Sequence, residues 1–280
     1  MREQPISCFV IPTDRVRASA SPPPARTQGL ATAPGGRLGL VTTRAVVLQT
    51  YRYSETSKIL RLMTWELGPC SAVARGALRP RSRFGGLLEP FVEGDATFYS
   101  REGRDLHTLS NFELIRDRRG LDRSIELFTI ASVLCELVMR LAPEHSDAEL
   151  FRTLTEGLDG LHGRVRERAS AGGLEYVWGV VNALGFRPEI ERCVGCRNPI
   201  GTTRARFDFE AGGLRCGSCG PIGPELDREE LDALRILVSG GAAERSGGNG
   251  RQGRWLAEFI RHHVAEGAQL KSLPFLSRLG

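Results

Sequence analysis

The sequence predicts an α+β protein in which a small N-terminal β-barrel precedes an α-helical domain with an embedded cysteine-rich module. Short strand-like segments occupy residues 41–118, and helical periodicity replaces them from about Leu121. Two Cys-x-x-Cys pairs then fall within residues 190–222. We therefore divide the chain into an N-terminal extension, residues 1–40, a barrel domain, residues 41–118, and a helical domain, residues 119–280.

Composition limits the class of protein. The chain has 280 residues, 41% of them hydrophobic, which is ordinary for a globular protein with a buried core. Its formal net charge of +5 permits binding to nucleic acid without requiring it. Neither an apolar run of transmembrane length nor a signal-peptide core is visible, so we expect a cytoplasmic protein with no membrane contact.

Residues 1–40 lack the pattern of a folded segment. Ser21-Pro22-Pro23-Pro24 and Pro34-Gly35-Gly36 disfavour helices and inner strands, and few large apolar residues are present. We expect this extension to be disordered or to result from an over-extended reading frame. In the second case translation would begin at or near Val41, which a GTG start codon would encode.

The barrel domain is predicted from five strand-like segments separated by turn signals. They are residues 43–51, 58–64, 70–75, 91–99 and 106–109. Each is rich in β-branched or apolar residues, and Gly68-Pro69 marks one of the turns. Five strands in about 80 residues fit the OB-fold, a small barrel that often binds single-stranded nucleic acid.

The helical domain is predicted to contain five helices, three of which have clear start signals. Ser124 or Asp122 would cap the first, Ser146 or Asp147 the second, and Asp227 with Glu230 has capping-box spacing for the fourth. The third would stop at Gly185, and the fifth carries Trp255 to Val264. The first is apolar nearly all round, so we expect Ile125 and Phe128 to be buried.

The four paired cysteines predict a metal site. Cys193 and Cys196 form one Cys-x-x-Cys pair, and Cys216 and Cys219 form a second. Each pair presents two thiolates from a tight turn, and the intervening residues 206–214 have the pattern of a hairpin that would bring the pairs together. We expect one structural Zn²⁺ per chain, because four protein ligands leave no open position for water or substrate.

The sequence does not support an enzyme. No phosphate-binding loop of the G-x-x-x-x-G-K-[S/T] type is present, which argues against ATP hydrolysis. The cysteine pairs lack the preceding proline and the His-x-Glu motif of zinc deaminases. The five histidines form no His-Glu-x-x-His pattern.

A cluster of arginines predicts contact with nucleic acid. From Leu67 to Leu88 there is no Asp or Glu, and the segment contains Arg75, Arg79, Arg81 and Arg83. The planar guanidinium group suits phosphate because it donates two parallel hydrogen bonds. Phe84 would add a stacking surface for an unpaired base. An ordinary charged loop is the alternative interpretation of this segment.

Further short motifs follow in order from about residue 41 to the C-terminus. In the barrel domain they are Tyr53-Ser54-Glu55, Lys58-Ile59-Leu60, Ala74-Arg75-Gly76-Ala77 and Leu88-Glu89-Pro90-Phe91. In the helical domain they are Leu184-Gly185-Phe186-Arg187-Pro188, the two cysteine pairs, and Phe207, Phe209 and Gly212-Gly213 between those pairs. Together, in this order and spacing, they resemble the RecO family of recombination mediators.

The resemblance implies a function and several partners. Family members have an OB-fold followed by a helical domain that holds a zinc module. They bind and anneal single- and double-stranded DNA, and with RecR they help RecA load onto DNA coated with single-strand-binding protein. By position, Arg75, Arg79, Arg81 and Arg83 would bind DNA, although Leu78 stands where the family often has a basic residue. The resemblance also implies that the C-terminal tail of single-strand-binding protein docks on the helical domain, and that the protein associates with the nucleoid.

Two other classes of function stay open. One is a zinc-ribbon nucleic-acid-binding factor in transcription or translation, which would prefer duplex promoters or ribosomes to single strands. The other is a nucleic-acid-modifying enzyme whose activity depends on the metal.

Overall fold

The computed structural model describes residues 26–29, 38–101, 106–166, 172–202, 204–241, 249–264 and 269–278. The strands are β1 Arg26–Gly29, β2 Leu38–Arg52, β3 Lys58–Thr64, β4 Gly68–Ala74, β5 Glu93–Arg101, β6 Leu106–Arg116, β7 Ala205–Asp208, β8 Gly213–Arg215 and β9 Glu225–Leu226. The helices are α1 Ile125–Leu141, α2 Ala148–Arg166, α3 Leu174–Ala183, α4 Arg228–Val238, α5 Asn249–Phe259 and α6 Leu273–Leu276. This order confirms the predicted α+β class.

Strands β2 to β6 close into a barrel. Neighbours follow the order β2-β3-β4-β6-β5, and β5 pairs again with β2 to complete the ring. The β4–β6 pairing is parallel and the other pairings in the ring are antiparallel. A closed barrel of five strands with this mixed pairing confirms the OB-fold expectation. Its interior is filled by apolar side chains that include Val47, Leu60, Leu62, Phe98 and Leu109.

A bulge in β2 shifts the alternation of its side chains by one residue, so odd-numbered residues face the barrel interior before the bulge and even-numbered residues face it afterwards. Val47 pairs with Leu62, but the next pair is Gln49 with Arg61, so Leu48 is an extra residue. Before the bulge the odd-numbered Val47 points inward. After the bulge the odd-numbered Tyr51 points outward and lies exposed.

Four described residues of the N-terminal extension, Arg26–Gly29, form a β-strand and are not irregular. Arg26–Gly29 pair antiparallel with residues 39–42 of β2, and β2 itself begins at Leu38, ahead of the boundary expected at Val41. The physical reason is that residues 39–42 of β2 have an edge that β3 leaves unpaired, because β3 pairs with β2 only from Ala45 onward. Arg26–Gly29 pair with this edge. The remaining residues of the extension lie outside the described ranges.

Several strand ends differ from the expectation, and two of the differences have a clear physical reason. The fourth strand was expected to begin at Phe91, but β5 begins at Glu93 because Phe91 adopts a left-handed backbone with φ of 73°. The last strand was expected to end at residue 109, but β6 continues to Arg116 because it stays paired with β5 as far as Glu93.

The helices begin where the sequence places their caps. The Ser124 hydroxyl accepts from the Leu127 N–H at 3.3 Å, and the Asp147 carboxylate accepts from the Leu150 N–H at 2.9 Å. The predicted capping box at the start of α4 is present. Helix α5 ends at Phe259, and the predicted fifth helix continues to Val264 as a π-helical turn. No helix in the described ranges is long and apolar enough to cross a membrane.

The expectation that α1 is buried all round is wrong at its first turns. Leu127, Leu134 and Val138 are buried against the other helices, whereas Ile125 is 82% exposed and Phe128 is also exposed. The helix packs on α2 and α3 on one side only, so the opposite side of its N-terminal half faces solvent.

A buried ionic network joins the barrel to the helical domain. The guanidinium group of Arg118 donates to Glu93 at 2.7 Å, to Asp159 at 2.6 Å and to the Phe91 carbonyl at 3.1 Å. Arg118 and Glu93 are each only 1% exposed, and Arg116 reaches the same Glu93 carboxylate at 3.1 Å. Because Glu93 lies on β5 and Asp159 on α2, the Arg118 side chain bridges the two domains.

Replacing Arg118 by Met should destabilise the protein by about 1.5–3 kcal/mol, because Glu93 loses its closest partner but keeps Arg44 and Arg116. Urea unfolding measures this loss. Arg119→Met is the matched control, since Arg119 pairs with Asp117 in an exposed position and should leave the unfolding midpoint nearly unchanged. Equal midpoints for the two variants would show that the Arg118 network contributes no stability.

Candidate functional sites

The four arginines predicted from the sequence lie exposed on the segment that joins β4 to β5. None of Arg75, Arg79, Arg81 and Arg83 pairs with a carboxylate among the residues that the structure describes. Arg83 lies over the ring of Phe84, with its guanidinium carbon 5.0 Å from the ring centroid. The guanidinium groups of this arginine loop therefore keep donors available for an external anion.

The arginine loop is anchored to the barrel at several points. It folds as a succession of turns, each closed by a backbone hydrogen bond. The Leu78 N–H donates to the Thr56 carbonyl at 3.0 Å. Lys58 donates to the Leu88 carbonyl at 3.3 Å and pairs with Glu89 at 2.7 Å. These contacts hold the loop beside the turn between β2 and β3.

The expected stacking role of Phe84 is wrong. Its side chain is 1% exposed and packs inside the barrel with Leu60, Leu88 and Phe98. A large aromatic side chain buries 150–250 Å² or so, and this burial holds the loop against the barrel. Phe84 is thus a structural anchor, and no base could reach its ring.

The four paired cysteines come together. The Sγ atoms of Cys193, Cys196, Cys216 and Cys219 all lie within 4.8 Å of one another. The Cys196 and Cys216 sulfurs are 3.6 Å apart. Four sulfur atoms this close can surround a single ion, so the cluster is compatible with a structural metal.

A short hairpin and a close backbone approach position the cysteine pairs. Strands β7 and β8 form the predicted hairpin, with Phe207 paired to Leu214. Gly213 lies against the chain before the first pair, where an added Cβ would be 2.4 Å from the Glu189 carbonyl oxygen. Asp208 and Arg215 pair at 2.6 Å across the hairpin. Only glycine fits at position 213, because any side chain would separate the two halves of the module.

Two thiols of the cluster, Cys193 and Cys219, have pKa values shifted in opposite directions. Burial disfavours the Cys193 thiolate, but backbone hydrogen bonds from Cys216 and Gly195, among others, outweigh it and lower the pKa of Cys193 to about 6. Hydrogen bonds to the other cluster sulfurs hold the proton of Cys219 and raise its pKa to about 12. Since metal ligands are thiolates, binding of a metal here must release protons.

The metal module is continuous with the helical core. Cys193 is buried in the same cluster as Trp178, and Phe207 meets the Phe259 ring edge-on at 6.1 Å. Cys70 and Cys135 lie apart from the cluster, and burial raises the pKa of each thiol to about 12. Cys8 belongs to the N-terminal extension and lies outside the described residues.

An apolar groove of about 630 Å³ runs between α1 and α6. Its surface includes the exposed rings of Phe128 and Phe275, and the cations Lys271 and Arg278 lie among its lining residues. The Glu136 carboxylate accepts from the backbone N–H groups of residues 271 and 272, which fixes the start of α6. This groove could not be predicted from the sequence, because Glu136 on one side of it and Ser272 on the other are 136 residues apart in the chain.

Comparisons with known proteins identify the family. The model described as Recombination protein O N terminal matches residues 38–118, and the model described as Recombination protein O C terminal matches residues 123–274. The chain belongs to the RecO family. The DNA repair protein RecO of Anaeromyxobacter sp. (strain K) is 34% identical over 250 residues, which cover 86% of this chain and 97% of that protein.

Other RecO proteins match over similar lengths. The DNA repair protein RecO of Rubrobacter xylanophilus is 30% identical over 246 residues, covering 85% of this chain and 97% of that protein. The one of Bifidobacterium adolescentis is 32% identical over 215 residues, covering 74% and 85%. Membership of the RecO family supports a role in DNA repair and recombination, and disfavours the transcription or translation factor that the sequence left open.

Proposed function

We propose that the protein is a recombination mediator that binds and anneals DNA strands without catalysing a reaction. The observation that carries this proposal is the arginine loop, where four exposed guanidinium groups have no carboxylate partner in the described structure. Annealing requires two polyanions to approach each other, and bound arginines lower that repulsion by displacing counterions. The mechanism needs charge and position but no nucleophile, acid or base.

Reversing two charges in the arginine loop should weaken binding to all DNA sequences alike, because phosphate contacts carry no sequence information. We expect Arg79→Glu/Arg81→Glu to lose affinity for single strands and to anneal complementary strands more slowly. In the milder Arg79→Ala variant, the slope of log affinity against log salt should shrink by roughly 0.7–0.9 for each lost phosphate contact. Fluorescence anisotropy across a salt series measures both effects.

The matched control for this experiment is Arg152→Glu/Arg228→Glu, which changes net charge equally on the exposed surfaces of α2 and α4. We expect it to bind and anneal nearly as well as the wild type. Unchanged affinity and annealing in a folded Arg79→Glu/Arg81→Glu protein would refute the assignment of DNA binding to this loop.

We propose zinc as the metal of the cysteine cluster, one ion per chain. A tetrahedral site with Zn–S bonds of about 2.3 Å needs sulfur atoms roughly 3.8 Å apart. The Cys196 and Cys216 sulfurs are 3.6 Å apart, and all four sulfurs lie within 4.8 Å of one another. Four thiolate donors favour zinc over the harder cations that prefer oxygen. Cys193, Cys196, Cys216 and Cys219 would hold the ion, whose role is to fold the module rather than to activate water.

Cys196→Ser should lower the zinc content and the thermal stability of the protein together, because metal binding supplies folding free energy. Cys196 is exposed, so its substitution leaves no cavity in the core. Cys70→Ser, outside the cluster, is the control and should keep its zinc. Elemental analysis is the measurement, and wild-type protein purified without chelators that contained no zinc would refute the assignment.

We propose that protein partners use the helical domain, and that the α1–α6 groove receives the C-terminal tail of single-strand-binding protein. The apolar rings of Phe128 and Phe275 suit an apolar side chain, and Lys271 and Arg278 suit the carboxylate that ends any chain. With the tail held there and RecR bound, the protein would help RecA load onto the coated strand.

A peptide with the sequence of that tail should bind the wild type and bind Phe128→Ala more weakly, because the substitution removes part of the apolar surface. Amidation of the peptide's terminal carboxylate should also weaken binding to the wild type. Ile222→Ala, an exposed apolar residue beyond the metal cluster, is the control. Equal affinity of the Phe128→Ala and wild-type proteins in calorimetry would place the tail elsewhere.

A further inference from the structure

A second groove crosses the outer face of the barrel. It consists of two adjoining concavities of about 700 Å³ and about 330 Å³, and Leu106 at the start of β6 lines both. Tyr51 and Arg140 line the larger one, which lies between the barrel and the end of α1. Tyr53 and Arg75 line the smaller one, which opens towards the arginine loop. We refer to this surface as the tyrosine groove.

The two tyrosine rings are presented to solvent. Tyr51 is 45% exposed and Tyr53 is 62% exposed. Neither ring stacks on another aromatic ring or on a cation in the parts of the chain that the structure describes. The Tyr51 hydroxyl donates to the Gln49 side chain, which restricts its ring. Two residues of extended chain span about 7 Å, so neighbouring bases of one strand could each stack on one of the two rings.

All the charged side chains among the described residues that line the tyrosine groove are arginines. Arg61 and Arg140 line the larger concavity, and Arg75 and Arg79 line the smaller one. No Asp or Glu is among the described residues that line either part. Arg61 donates one hydrogen bond to the Ser71 hydroxyl, at 2.9 Å, and its other N–H groups are available to a ligand. Exposed aromatic rings beside a track of cations are what a single nucleic-acid strand requires.

We infer that the tyrosine groove binds single-stranded DNA by stacking one unpaired base on Tyr51 and the next on Tyr53. This inference rests on the proposed DNA-binding function, but it assigns a different task to different residues. The arginine loop contacts phosphates, which single strands and duplexes share. The tyrosines contact base faces, which a duplex hides within its stack, so they make the protein prefer a single strand.

The test compares Tyr51→Ala/Tyr53→Ala with Tyr51→Phe/Tyr53→Phe on three probes: an oligothymidylate, an abasic strand of equal length, and a duplex. Each lost stacking contact should lower the affinity for oligothymidylate roughly tenfold, so the alanine variant, which lacks both rings, should bind it roughly a hundredfold more weakly. The phenylalanine variant should bind like the wild type, because it keeps both rings. Affinities for the abasic strand and the duplex should be the same for all three proteins. Tyr99→Ala, which removes an exposed ring of β5 that lines neither groove, is the control.

The possible outcomes separate this inference from the proposed function. Equal losses on oligothymidylate and on the abasic strand would overturn base stacking, as would full affinity of the alanine variant for oligothymidylate. Wild-type protein that bound neither single strands nor duplex would refute both proposals. Arg81 and Arg83 line neither concavity of the tyrosine groove. If Arg81→Glu/Arg83→Glu bound DNA normally while the alanine variant lost affinity for single strands, only the assignment of the arginine loop would be wrong.

Discussion

The ion pair between Arg118 and Glu93 is the constraint on which the arrangement of the two domains depends. Both groups are removed from water, and their contacts reach a barrel strand, a helix and a backbone carbonyl at once. An isolated buried charge would be strongly unfavourable, so the network is stable only when barrel and helices are in place together. It therefore specifies one angle between them rather than a range of angles.

Both grooves depend on that angle. In the α1–α6 groove, Leu48 and Phe91 of the barrel domain lie with Phe128 of α1. In the tyrosine groove, Tyr51 of the barrel lies with Met139 and Arg140 at the end of the same helix. Both grooves therefore include residues of helix α1: its first turns line the α1–α6 groove, and its last turn lines the tyrosine groove. A rotation between the domains would change both surfaces, whereas the arginine loop belongs to the barrel alone.

The sequence predicted features that are encoded locally. The metal cluster follows from the spacing of Cys193, Cys196, Cys216 and Cys219, and the start of α4 follows from Asp227 and Glu230, three residues apart. The barrel strands were recognised from their composition, with errors at the ends of β2, β4, β5 and β6. These features need only a few neighbouring residues, so no knowledge of the tertiary structure is required.

Features that depend on long-range contacts were not predicted. Phe84 lies among arginines and glycines and Phe128 in an apolar helix, yet the first is buried and the second exposed. The difference lies in what packs over each ring, and sequence patterns do not contain that information. Arg118 resembles any surface arginine until Glu93 and Asp159 are placed beside it. The outward direction of Tyr51 was hidden for a related reason, because the bulge at Leu48 interrupts the simple alternation of the strand.

That bulge gives β2 one residue more than its pairing with β3 requires. The strand is bonded to β5 through its first half and to β3 through its second half, so neither half can slide alone. Deletion of Leu48 would leave Val47 opposite Leu62 and Gln49 opposite Arg61, so the pairing of the second half and the outward direction of Tyr51 would be kept. The deletion would remove instead the Leu48 side chain, which packs with the helical core and not inside the barrel. The extra residue therefore adds an apolar contact between the barrel and the helices without changing the register of the strand.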